Sequence, residues 1–216
     1  MKKNPIFTLF TLGLLFALNH TAATAQSAAD IFNSTKTNIT WLGVDFTQVK
    51  VLGETGTVSP SEMVGLFTKI NDVIINEGDK YNFKKALNKD DIPYDLGSVT
   101  KANAEIDGEK IISTSSAEKG RITPETIAEL VKGYNAKAEG IGLVFFMETL
   151  DKPQEKGTMW VTFFSLDSKK VLLTEQMSGK AAGFGFRNHW ARTVYEVLND
   201  IKKAKYKAWK AKYAKS

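Results

Sequence analysis

Apolar residues recur along this chain with two periods, and the changes from one period to the other mark its elements. Over residues 39–46, and on through 49–52, Trp41, Leu42, Val44, Phe46, Val49 and Val51 fall on both parities, the pattern of a strand covered on both faces. A turn with Gly53 and Gly56 leads into a helix start. Ser59 is placed to cap, Pro60 suits the first helical position because its missing N–H needs no partner there, and Glu62 completes a capping box. From Met63 onward, Leu66, Phe67, Ile70, Val73 and Ile74 form one helical stripe.

Residues 78–120 are rich in Asn, Asp, Lys and Ser; they predict a short helix near 81–87 and strands near 98–106 and 110–113. Thr123, Pro124 and Glu125 repeat the helix-start chemistry ahead of a stripe of Ile127, Leu130, Val131 and Tyr134. The nearly unbroken apolar run at 141–150 reads as a buried central strand. A loop at 151–157 and a turn at 167–170 separate it from strands at 158–166 and 171–177, which predicts an antiparallel three-strand meander. Residues 188–207 then read as a long helix with Trp190, Val194, Val197, Leu198 and Ile201 on its apolar stripe.

The fold class expected is therefore α/β (α+β): a single mixed sheet packed by two or three helices, with a C-terminal three-strand meander and a long final helix. The expected organisation is a signal peptide at 1–25, a leader at 26–37, one domain at 38–201 and a lysine-rich helical tail at 202–216.

The signal peptide rests on a three-part layout. Lys2 and Lys3 form a positive start, residues 7–18 form an apolar run too short to span a bilayer, and Ala23-Thr24-Ala25 is a small-residue cleavage site, so the mature chain begins at Gln26. This puts the protein in the periplasm or outside the cell. The chain has no cysteine, so it carries no disulfides and no acylated N-terminal cysteine, and its core must hold it together. Formal net charge is +5, and cleavage removes two of the 29 basic residues and none of the 24 acids. Lys202, Lys203, Lys205, Lys207, Lys210, Lys212 and Lys215 stand after Ile201 without an acid, leaving the body slightly acidic.

The order of elements resembles the α/β domains of bacterial envelope assembly and accessory proteins: CsgG-like curli-secretion, FlgO-like flagellar and TolB amino-terminal domains. The likeness rests on a first strand at 39–46 ahead of a helix, and on a later helix feeding a buried strand and hairpin at 142–177, with the turn from Leu166 to Val171 at its tip. The likeness is one of architecture; the function expected for the chain as a whole is that of an exported non-enzymatic envelope accessory or binding protein, with another envelope protein as partner.

The residues offer little for catalysis. His189 is the one histidine after the signal, so with no cysteine a Cys/His zinc site has no ligands, and no G-x-S-x-G accompanies it for serine hydrolysis. Asp90, Asp91 and Glu148 are the carboxylates a secreted carbohydrate-active hydrolase would draw on, and such a hydrolase or a structural subunit of an envelope complex are the competing functions. Asn88 to Asp91 lacks the spaced ligands of a calcium loop, and no metal or other cofactor is expected.

The most unusual stretch is 178–190. Its glycines, with Lys180, Phe184, Phe186, Arg187, His189 and Trp190, form a candidate ligand site, with an anion at a glycine-rich helix start and rings to stack on a ligand. The competing view makes it a corner, with Asn188 capping the helix and the rings closing the core. The lysine tail, with Tyr206, Trp209 and Tyr213 interleaved, could meet an anionic surface, although a solvated helix end, its cations favoured by the helix dipole, is the simpler and preferred reading; export argues against nucleic acid.

Overall fold

The structure, a computed structural model, describes residues 26–53, 56 and 58–214; the signal peptide expected at 1–25 lies outside them. Its axis is β4 (Ile141–Asp151), buried along its whole length as its apolar run predicts. β1 (Ile39–Asp45) and β2 (Lys50–Leu52) lie in line along one side of β4 and run parallel to it. β5 (Lys156–Ser165) and β6 (Val171–Lys180) follow antiparallel on the other side, giving the meander. The two-residue β3 (Ile112–Ser113) pairs parallel beyond β2 and completes a mixed six-stranded sheet.

The both-parity pattern of the first strand has a local cause. A bulge between Trp41 and Gly43 shifts the register, so Trp41 stands opposite Leu143 and Val44 opposite Phe145, all on one face of the sheet. That face carries α2 (Pro60–Asn76), whose capping box at Ser59 and Glu62 forms as expected, α3 (Phe83–Leu87) and α6 (Phe186–Asp200). The opposite face is closed by α5 (Pro124–Leu130) and Tyr134, packed on Leu42, Val144, Phe146 and Phe164. Tyr134 donates to the buried Asp45 carboxylate at 2.6 Å, which also accepts from the Thr47 N–H and hydroxyl. Burial first, and then the Asp45 charge, push the Tyr134 phenol well above its ordinary value.

Four expectations are corrected. The strand near 98–106 is instead helix α4 (Gly97–Ala104). Val99 and Asn103, one turn apart, both face β1, where a strand would point them to opposite sides only if their spacing were odd; the four-residue interval suits a helix equally, and packing chooses it. α4 covers the outer edge of β1, and two buried amides complete the backbone bonding there. Asn71 accepts from the Val44 N–H, Asn103 accepts from the Phe46 N–H, and both donate to the Val44 carbonyl.

The second correction concerns the leader, in which α1 (Asp30–Asn33) buries Ile31 and Phe32 in the core. The third concerns the cap of the final helix: α6 begins at Phe186, so Asn188 lies inside its first turn, and Gly185 in the cap position offers no side-chain bond. The fourth concerns the tail, which is not simply a solvated end. After a π-helical turn at Ile201–Lys205, α7 (Tyr206–Tyr213) buries Trp209 edge-on to Phe163. Eight residues separate Ile201 from Trp209, a mismatch of about 80° on a regular helix at about 100° per residue; absorbing one residue in the wide turn reduces it to about 20°. Both side chains thus reach the same core.

Candidate functional site

Beyond the carboxyl ends of the parallel strands β2 and β4, a cleft of about 320 Å³ opens between Val51, Val58, Lys152 and the segment from Gly183 to Trp190. Such crevices at strand ends are where open α/β sheets accept ligands. Gly183 and Gly185 hold positive φ angles of 109° and 76°, which turn the chain sharply on either side of Phe184 and leave that ring 97% exposed at the mouth. Trp190 is only 3% exposed and lies at the base. Phe186 is half-buried between them, its ring 6.3 Å from Trp190 and 6.2 Å from Phe67 of α2.

His189 stands edge-on to Trp190, with ring centres 4.8 Å apart. Its Nε2 is 3.4 Å from the Lys152 ammonium, which can only donate, so the imidazole nitrogen accepts. Burial first, and then the Lys152 charge, hold this imidazole below its ordinary value; a backbone hydrogen bond with Gly183 and the more distant Glu155 offset part of that.

Of the six residues singled out in the sequence, four line this cleft: Phe184, Phe186, His189 and Trp190. The other two do not. Lys180 is the exposed last residue of β6, paired across to Lys156, and Arg187 is exposed with its Nε donating to the neighbouring Asn188 at 3.3 Å. Lys152, Val51 and Val58 complete the cleft and were not foreseen. Lys152 sits in the β4–β5 turn among ordinary polar loop residues, and nothing in its local sequence marks it.

The carboxylates considered for hydrolysis lie elsewhere. Glu148 is the extra residue of a bulge in β4, fully buried, accepting from the Ile122 N–H at 3.0 Å and from the Gln176 amide at 2.5 Å. Asp90 is exposed and accepts from the Thr35 hydroxyl, and Asp91 is exposed. No Asp or Glu lines the cleft among the described residues, and among them no group of three potential ligands stands together for a metal. In the C-terminal segment Lys205 pairs with Glu175, which also accepts from Trp209. Lys202, Lys203, Lys207 and Lys210 are exposed, and Lys202 faces Lys85 of α3 across a shared hollow.

No described helix is long and apolar enough to cross a membrane. No protein family and no curated protein matches the chain. Among solved structures it is similar to the hypothetical protein CT253 from Chlamydia trachomatis, at 13% identity over 83% of this chain and 98% of that one, with a TM-score of 0.34.

Proposed function

We propose that this chain is an exported, non-enzymatic binding protein of the cell envelope, and that the cleft at the start of α6 is its contact site. The observation that carries the reading is Phe184. A large apolar side chain 97% exposed at the mouth of a ring-lined cleft is the arrangement of an unfilled contact, since such a ring gains about 2–3 kcal/mol when it is covered. The signal-peptide layout supports export, and the resemblance to envelope accessory domains supports an envelope component as partner. The exposed lysines of the C-terminal helix offer a second contact, with anionic surfaces.

The test is site-specific photo-crosslinking in the exporting cell, with benzoylphenylalanine in place of Phe184 and, as control, in place of the exposed Lys101 on α4. A discrete adduct from position 184 alone is expected, on a chain whose mass begins at Gln26. The same products from both positions, or a chain retaining residues 1–25, would remove the reading.

A further inference from the structure

We infer that the cleft takes an amphiphilic organic anion: an apolar ring or chain lying against Phe184, Phe186 and Trp190, with its acidic group on Lys152 and His189. This rests on the reading of the cleft as a binding site and adds the chemistry of the occupant.

Among the described residues Lys152 is a cation without an acidic partner. It projects from the β4–β5 turn with its ammonium 3.4 Å from His189 Nε2. The acids nearest in sequence are otherwise placed. Asp151 is buried and paired with Lys119 at 2.6 Å, and Glu155 acts on His189 only at a distance and does not line the cleft. A cation beside an imidazole, with ring walls and, among the described residues, no carboxylate lining the space, leaves a positive potential that a small anion would neutralise. α6 adds to it, because its uncapped start at Gly185 and Phe186 forms part of the lining and the positive end of its dipole lies at the same mouth.

The remaining walls set the other half of the ligand. Val51, Val58, Phe186 and Trp190 present apolar surface, and Phe184 stands ready to cover whatever lies on them. The volume of about 320 Å³ is at the small end for organic ligands, which favours one compact apolar group over an extended polymer. A neutral apolar ligand would leave Lys152 desolvated without a partner, while a simple inorganic anion would leave the rings exposed. Only a ligand with both parts satisfies both walls.

Two fluorescent probes separate the halves: 1-anilinonaphthalene-8-sulfonate, and N-phenyl-1-naphthylamine, which is the same ring system without the sulfonate. Each is titrated into the processed chain recovered from the exporting cell, into Phe184→Ala and into Lys152→Gln. Both substituted side chains are exposed, so unchanged melting confirms that the variants fold.

The sulfonate should bind roughly tenfold more tightly at low salt, as a charge-assisted hydrogen bond implies. Lys152→Gln should remove that advantage while leaving the neutral probe unaffected, and Phe184→Ala should weaken both. Equal affinities, both weakened by Phe184→Ala, would overturn the anion assignment and leave the cleft standing. A sulfonate preference that survives Lys152→Gln would also overturn it. Failure of both probes, or indifference to Phe184→Ala, would remove the cleft as a site and this inference with it.

Discussion

Gly157 of β5 and Gly179 of β6 stand opposite each other in the sheet, and α6 crosses them at Thr193. A methyl at position 179 would bring its carbon to 2.1 Å from the Thr193 carbonyl oxygen and 2.8 Å from the carbonyl carbon, where ordinary contact begins at 3.4 Å. Both are backbone atoms in the middle of a 15-residue helix, so no side-chain rotation relieves the clash. The helix must lift by about 1 Å, loosening Trp190, Val194 and Val197 on the sheet, and Gly179→Ala should cost about 3 kcal/mol of a stability of about 5–15. Gly65, exposed within α2 with nothing within 4 Å of an added methyl, provides the opposite case. Gly65→Ala should stabilise by about 0.5–1 kcal/mol. Urea unfolding followed by far-ultraviolet circular dichroism reads both as shifts of midpoint at constant slope. A Gly179→Ala midpoint equal to that of the parent would refute the seating of α6 on the glycine pair, and with it the position of the cleft wall that α6 carries.

Three further outcomes follow from particular groups. His189 is the one histidine after residue 25, and in the folded chain it is held below its ordinary value of 6.5, so the unfolded state takes up its proton first. Stability should therefore fall as pH is lowered through about 6.5, until the folded imidazole also protonates, and His189→Gln should remove that step from melts taken between pH 7 and 5. Asn103→Ala leaves the buried Phe46 N–H without its acceptor and should cost about 1–3 kcal/mol in chemical denaturation; a neutral result would mean that water reaches the β1 edge. Trp209→Ala should cost about 3 kcal/mol, because the indole is buried against Phe163 and bonded to Glu175; an unchanged melt would restore the tail to a solvated end.

The parts of the fold legible in the sequence are those where one residue pattern admits one geometry. The capping box at Ser59, the apolar run of β4 and the hairpins that follow it were of this kind. The central region was not, because α4 carries only two buried residues, Val99 and Asn103, and a polar residue facing the core defeats a hydrophobic-stripe reading. α1 is too short to show a period, and the burial of Trp209 depends on a π-helical turn that shifts the phase where a regular helix would have turned the ring aside. At the candidate site the glycines and rings marked the segment, whereas Lys152 arrives from a turn some 30 residues earlier through strand pairing alone. Lys180 and Arg187 were grouped with the rings by adjacency, and adjacency in a strand end or a first helical turn does not give a common direction.

The rings of the segment could be read as core or as ligand contacts, and the structure makes them consecutive parts of one row. Phe46 stacks on Phe67 at 4.3 Å, Phe67 meets Phe186 at 6.2 Å, and Phe186 meets Trp190 at 6.3 Å, so the wall of the cleft continues the core outward. A wall anchored in this way holds its shape without a ligand, which suits a preorganised site. Phe184 alone lies outside the row, between two glycines with positive φ. The two phenylalanines should therefore separate stability from binding. Phe184→Ala should leave unfolding within about 0.5 kcal/mol of the parent while weakening probe binding. Phe186→Ala removes a half-buried link of the row and should cost about 2 kcal/mol as well as weaken binding. Paired denaturation and probe titrations measure both quantities, and a Phe184→Ala variant as destabilised as Phe186→Ala would mean that Phe184 is part of the core and not a rim poised over the cleft.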